Sequence, residues 1–159
     1  MPLAINCFCT NIHRNCSNYS RDFAKDINFV TQLALSILIL LSLLQLKHMF
    51  ADYFLQTPKM LEGRGTYLHM GRAQHALVHA VGSLICFLIM GAPLPFIAVI
   101  IALEWVVHFH IDWGKATYTA KKGHGPMDAG FWRAAGFDQF LHHMTYVAMI
   151  WAWVTYGIA

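Results

Sequence analysis

The sequence predicts an all-α integral membrane protein, a four-transmembrane-helix up-down bundle assembled from two duplicated helical hairpins. Three observations predict it. Charged residues make up 12% and hydrophobic residues 57% of the 159 residues, whereas soluble domains carry roughly 25% charge. Four apolar runs, residues 29–46, 73–90, 94–113 and 131–156, each approach the roughly 20 residues that span a bilayer. Each run, or for the first the helix that continues it to about residue 56, also carries a pair of metal-ligand-type residues four positions apart: His48 and Asp52, His75 and His79, His108 and Asp112, Asp138 and His142. The length suits one domain and not two.

Residues 1–27 read as a polar tail without fixed structure. Cys7, Cys9 and Cys16 lie in it near His13, at a spacing that fits no zinc module, and it lacks the apolar core of a secretory signal. The transmembrane domain then covers 28–158. Its first helix is expected over about 28–56, with Asn28 as N-cap. Thr57-Pro58 ends that helix and caps a short interfacial one, with Pro at the first helical position. Gly63 and Gly65 break the chain before a second helix over about 72–91. Gly91-Ala92-Pro93 reverses direction into a third helix over about 94–116. Gly123-His124-Gly125-Pro126 connects it, as a plain link or a flexible cover, to a fourth over about 131–158. The five tryptophans sit mostly toward the ends of these runs, where amphipathic rings favour the headgroup layer.

Of the eleven Lys and Arg, eight surround the first and third connections: Lys47, Lys59, Arg64, Arg72, Lys115, Lys121, Lys122 and Arg133. The positive-inside rule puts those connections in the cytoplasm of an inner-membrane protein and both termini outside. Arg14, Arg21 and Lys25 in the tail oppose this orientation. The basic charge follows the membrane and forms no nucleic-acid patch.

On a helix, residues four apart lie on one face, so each pair is a two-toothed clamp. The halves match: His48 and Asp52 end the first helix as His108 and Asp112 end the third, and His75 and His79 open the second as Asp138 and His142 open the fourth. In an up-down bundle all four pairs therefore reach the same membrane side, the one with the basic connections. Imidazole with carboxylate suits a divalent transition metal, zinc first, with manganese or iron as alternatives. Five histidines and three aspartates exceed the needs of one tetrahedral ion, so either two metals bind or some members orient the ligand imidazoles. An open position on such a metal lowers the pKa of coordinated water.

Glu104, one turn deeper than His108, is a candidate general base or a buried carboxylate paired to a histidine. Gln56, Lys115 and Gln139 are candidate substrate-binding residues, and Lys121, Lys122 and Arg133 could attract an anionic headgroup. Small residues Gly82, Ser83 and Cys86 would let helices approach closely below the site. His110 and His143 fall off the stripe, and His69 and His124 lie in connections.

These segments resemble a bacterial family of small membrane proteins known as domain of unknown function 3307. The resemblance rests on His48-Met-Phe-Ala-Asp52-Tyr-Phe-Leu-Gln56-Thr57, His75-Ala-Leu-Val-His79, His108-Phe-His-Ile-Asp112-Trp-Gly-Lys115 and Phe137-Asp138-Gln139-Phe-Leu-His142, within about residues 33–156. It implies the fold and the segment boundaries but no activity. A looser similarity exists to small bacterial membrane proteins described as metal-dependent hydrolases. Membrane fatty-acid hydroxylases and desaturases share only His75-x-x-x-His79, because their His-x-x-His-His boxes are missing here.

The expected function is a membrane-embedded, metal-dependent hydrolase working at the cytoplasmic face on a lipid or lipid-linked ester. A proton- or metal-ion-handling protein and a structural subunit with a polar packing network are the alternatives. The sequence leaves the oligomeric state open.

Overall fold

The structure, a computed structural model, describes residues 3–62 and 66–158, with side chains from residue 23 onward. The side chains of Cys7, Cys9, Cys16 and His13, and the segment Gly63-Arg64-Gly65, lie outside the described residues. Five α-helices follow in order: α1 (Leu3–Tyr53), α2 (Pro58–Leu61), α3 (Met70–Ile89), α4 (Leu94–Lys122) and α5 (Ala129–Ala152), the last running into a single π-helical turn, Trp153–Gly157. No strand occurs among the described residues. The chain divides into a first unit, Met1–Leu38, and a second, Ile39–Ala159. The second holds the buried core and the polar cluster described below.

The helix boundaries follow from breakers and caps. Neither glycine nor proline occurs between Pro2 and Pro58, so nothing halts a helix there. Asn28 accordingly lies inside α1 and does not cap it. The expected short helix forms: Thr57 accepts a 3.4 Å hydrogen bond from the Met60 amide, and Pro58 takes the first position. His69 caps α3, its Nδ1 accepting from the Gly71 amide at 3.2 Å. Gly91 (φ 68°) makes the reversal before α4, and Gly123 (φ 65°) ends α4, both in the left-handed region that glycine enters without steric cost. α4 thus runs six residues beyond its expected end at 116, because Thr117 to Lys122 include no breaker. The α4–α5 connection is pinned: Asp128 accepts from the Gly125 amide at 2.7 Å, and the Trp132 indole donates to the Pro126 carbonyl at 2.9 Å.

Three helical segments are long and apolar enough to cross a membrane: Phe23–Tyr53, Met70–Ile89 and Leu94–Lys122. The expected fourth, α5, has the length but not the apolarity. Arg133, Asp138, Gln139, His142 and His143 crowd its first four turns. The outside of the second unit is apolar, with Leu77, Val81, Ile85, Val99, Leu103 and Val147 all exposed. The inside has two layers. Leu40, Leu44, Phe87, Ile97 and Met149 form a sealed apolar core. Above them lies a buried polar layer, at the C-terminal end of α1 and the N-terminal end of α3 but, contrary to expectation, well inside α4 and α5, which extend past it to Lys122 and from Ala129.

Candidate metal centre

The four sequence pairs meet in that polar layer. Imidazoles of His79 and His108 have centroids 3.9 Å apart, His108 and His142 4.2 Å, His75 and His79 4.8 Å, and His48 and His79 5.2 Å. Each of these five histidines is at most 4% exposed. Helix direction explains the convergence: His48 and Asp52 close α1 and His75 and His79 open the antiparallel α3, whereas α4 and α5 run past the cluster, with His108 and Asp112 well before Lys122 and Asp138 and His142 well after Ala129.

Two carboxylates organise the cluster. Asp52 lies 3.0 Å from His79 Nε2, 3.3 Å from His75 Nε2 and 3.4 Å from His48 Nε2. Asp112 lies 3.6 Å from both His75 Nε2 and His108 Nε2 and 3.7 Å from His142 Nε2. His75 therefore stands between them. Donor atoms of three triads approach within 4.8 Å of one another: His48–Asp52–His79, His108–Asp112–His142 and His75–His79–His108. The first two are the same three positions in the two halves of the chain. Residues two helices apart thus occupy equivalent places, as a duplicated hairpin would put them.

The hydrogen bonds separate the two triads chemically. Gln139 Nε2 must donate to the Asp52 carboxylate (3.3 Å), so its Oε1 accepts from His48 Nε2–H (2.9 Å), and His48 Nδ1 accepts from the Tyr146 hydroxyl (2.8 Å). Both nitrogens of His48 are thereby used. His142 differs: Nδ1–H donates to the Asp138 carbonyl at 2.9 Å, leaving Nε2 as an acceptor. His142 Nε2, His108 Nε2, His75 Nδ1 and His79 Nδ1 are buried with no hydrogen-bond partner among the described residues. Buried polar atoms are ordinarily satisfied, and several orphaned imidazole nitrogens in one place fit a divalent cation. Removing one anchor should be measurable. Tyr146→Phe leaves His48 Nδ1 unpartnered and is expected to cost about 1–3 kcal/mol, read as a lowered unfolding midpoint in detergent.

The remaining sequence candidates fall at varied distances. Asp138, 3% exposed, belongs to none of the triads and pairs with Lys115 at 3.3 Å. Gln56 Nε2 lies 3.5 Å from His75 Nε2. With Asp52, Asp112, Lys115 and Gln139, Gln56 lines a polar cavity of about 450 Å³ over the cluster. Arg133 lines a different, apolar cleft, and Lys121 and Lys122 are exposed at the end of α4, lining neither. His110 bonds Tyr67 at 3.0 Å, away from the cluster. His143 lies beside His48, with ring centroids 5.6 Å apart.

Glu104 sits one turn below His108 and is 1% exposed. Its partners are Lys47 Nζ at 2.6 Å and Ser83 Oγ at 2.8 Å, and no histidine hydrogen bond to it occurs among the described residues. Lys47 also donates to the His79 carbonyl at 3.2 Å and lies 4.5 Å from the Tyr146 ring centroid. Gly82 makes room for its stem, since a Cβ there would lie 3.2 Å from Lys47 Cδ. Sequence reading counted Lys47 among the connection charges and missed this role. The signal was its helical phase: Leu40, Leu44, Lys47 and Ala51 form one buried stripe. Arg72, also counted among the connection charges, is 2% exposed and donates to the Thr66 and Tyr67 carbonyls. Tyr146 was legible in the same way, one turn after His142.

Fold and cluster define a class: a small all-α protein with membrane-length helices that gather histidines and aspartates at one end. The family model described as "Protein of unknown function (DUF3307)" matches residues 39–159, and the chain belongs to that family. The match begins where the second compact unit begins and contains every residue of the cluster. No curated protein and no solved structure matches the chain.

Proposed function

We propose that the protein is a membrane-embedded, metal-dependent hydrolase acting on a lipid or lipid-linked ester at the cytoplasmic face of the inner membrane. The observation that carries this reading is the pair of repeat-related His/Asp triads, with orphaned buried nitrogens, beneath an open polar cavity. Here α5 is the fourth spanning helix. Asp138 and His142 are turned into the bundle, so its polar residues need not meet lipid. Residues 28–158 form the membrane domain, with the termini outside. Lys59, Lys121, Lys122 and Arg133 remain as basic charge at the cavity end of the helices, which supports the cytoplasmic placement.

A divalent ion, zinc first and manganese or iron otherwise, would be held by His75, His79, His108, Asp112 and His142, with His48 and Asp52 as ligands or as the groups that orient them. Such an ion supplies Lewis acidity and a nucleophile near neutral pH. Water's oxygen then bonds to the acyl or phosphoryl centre, the bond to the leaving alcohol breaks, and the proton passes to that alcohol's oxygen. Gln56, Lys115 and Gln139 line the cavity in which the polar part of the substrate would sit. Glu104 is held by Lys47 and Ser83, and its second oxygen lacks a partner among the described residues. It would take a proton only by a path through the histidine layer.

The ion-handling alternative gains from the Lys47–Glu104–Ser83 group, which carries polarity one turn further inward. It loses at the next layer, where the described buried side chains Leu40, Phe87, Ile97 and Met149 are all apolar. Protein purified without chelator is expected to contain zinc, manganese or iron at one or more atoms per chain by elemental analysis. Metal-free protein would end the hydrolase reading. Metal-loaded protein should then release product from lipid phosphates or esters in a substrate screen.

A further inference from the structure

A second cavity lies beside the metal centre. It is a cleft of about 730 Å³ lined only by α4 and α5 residues, and it differs from the polar cavity in character. One end is mostly apolar, with Val106, Val107 and Leu141, and His110 there is held by the Tyr67 hydroxyl and the Val106 carbonyl. The other holds Lys115, Tyr118 and Arg133. From Val106 to Tyr118 the wall extends twelve residues along α4, roughly 18 Å at helical rise. Lys115 and Asp138 line both cavities, so the cleft's charged end adjoins the space over the cluster.

We infer that this cleft seats one hydrocarbon chain of an anionic lipid, admitted sideways from the bilayer between α4 and α5, with its headgroup at Arg133 and Lys115. The inference rests on the hydrolase reading for what happens next but not for binding itself. Charge and shape name the occupant. An apolar trough of membrane-facing residues takes a chain, and two cations at the end nearest the helix termini take a negative headgroup. A soluble anion would use the cations and leave the trough empty. A neutral lipid would use the trough and leave Arg133 without a task. Lys115 already holds Asp138 at 3.3 Å and keeps two further N–H donors. A headgroup bound there would stand at the rim of the polar cavity.

Gly114 provides the test. It lines the cleft, and a Cβ added there meets nothing within 4 Å. Gly114→Leu should therefore fill the trough without disturbing the helices, and leucine is a better helix former than glycine. Gly136 on α5 is equally open but lines neither cavity, so Gly136→Leu is the matched control. The full chain is reconstituted in phosphatidylcholine vesicles containing phosphatidylglycerol with a photoreactive group on one acyl chain, and labelled peptides are mapped by mass spectrometry.

Labelling should concentrate on the α4 and α5 segments around Val107, Ile111 and Leu141. It should be lost in Gly114→Leu, whose side chain occupies the space the hydrocarbon chain would take. Gly136→Leu should label like wild type. Arg133→Gln should abolish the preference for the phosphatidylglycerol probe over the same probe on phosphatidylcholine. Equal labelling of the two leucine variants, or labelling spread evenly around the bundle, overturns the inference. A preference unchanged in Arg133→Gln overturns the headgroup assignment. Metal content is read on the same samples. Metal-free protein that still labels in the cleft overturns the hydrolase reading and supports the lipid site.

Discussion

Replacing Asp52 and Asp112 together by asparagine is expected to strip the protein of its transition metal while leaving it folded. Each carboxylate faces three imidazoles within 3.7 Å. Asparagine keeps the shape and the hydrogen-bonding oxygen but removes the negative charge that a divalent ion requires. Groups that merely orient a ligand are worth 10- to 100-fold in metal affinity, so each direct carboxylate should be worth at least about 100-fold. The single variants carry further information. If the two triads each hold an ion, Asp52→Asn and Asp112→Asn each retain about half of the wild-type metal. If one ion is shared through His75, which lies between both carboxylates, either single variant loses all of it. A double variant with wild-type metal content would place the metal elsewhere and refute the assignment. Elemental analysis after gel filtration, with far-ultraviolet circular dichroism as the folding control, decides among these outcomes.

Glu104→Gln is expected to be among the most destabilising single substitutions, by about 3–5 kcal/mol. Its side chain is 1% exposed and that of Lys47 8%, and they meet at 2.6 Å inside the bundle. Removing the carboxylate charge leaves a buried ammonium with no full counter-charge among its described partners. Replacing both, as Lys47→Met with Glu104→Leu, removes that uncompensated charge. The double variant should therefore recover most of the loss, because well-packed apolar substitutes for a buried pair are often neutral. Thermal unfolding in detergent measures this, and a double variant as unstable as the single would refute the pairing argument. The same double variant separates the two roles weighed for Glu104. A protein that keeps its metal and its stability but loses hydrolysis assigns the carboxylate to chemistry. One that keeps all three assigns it to structure.

Much of the candidate site is legible in the sequence, and particular residues show why. The i, i+4 spacing of His48 with Asp52 and of His108 with Asp112 is set by helical pitch, so the clamps follow from sequence alone. Their shared layer followed as well, because an up-down order fixes which ends of the apolar runs share a side, although α4 and α5 extend beyond those runs. The partners of Lys47 and Gln139 were not legible. A lysine beside a connection reads as a solvated charge, and nothing next to a glutamine names the group it will bond. Their actual partners lie 57 and 87 residues away in sequence, Glu104 for Lys47 and Asp52 for Gln139. No local pattern encodes which of several polar groups a long side chain will reach.

The sequence carries the helices, their order, the membrane-spanning length and apolarity of three of them and the histidine–aspartate layer. These depend on local periodicity and hydropathy, which the chain carries residue by residue. Tertiary structure alone decided that the two equivalent triads converge through His75, that His48 is hydrogen-bonded on both nitrogens while His108 and His142 each keep one open, and that Lys47 neutralises Glu104 beneath them. Those outcomes depend on side chains from different helices competing for the same few buried partners, and that competition is settled only when the helices pack.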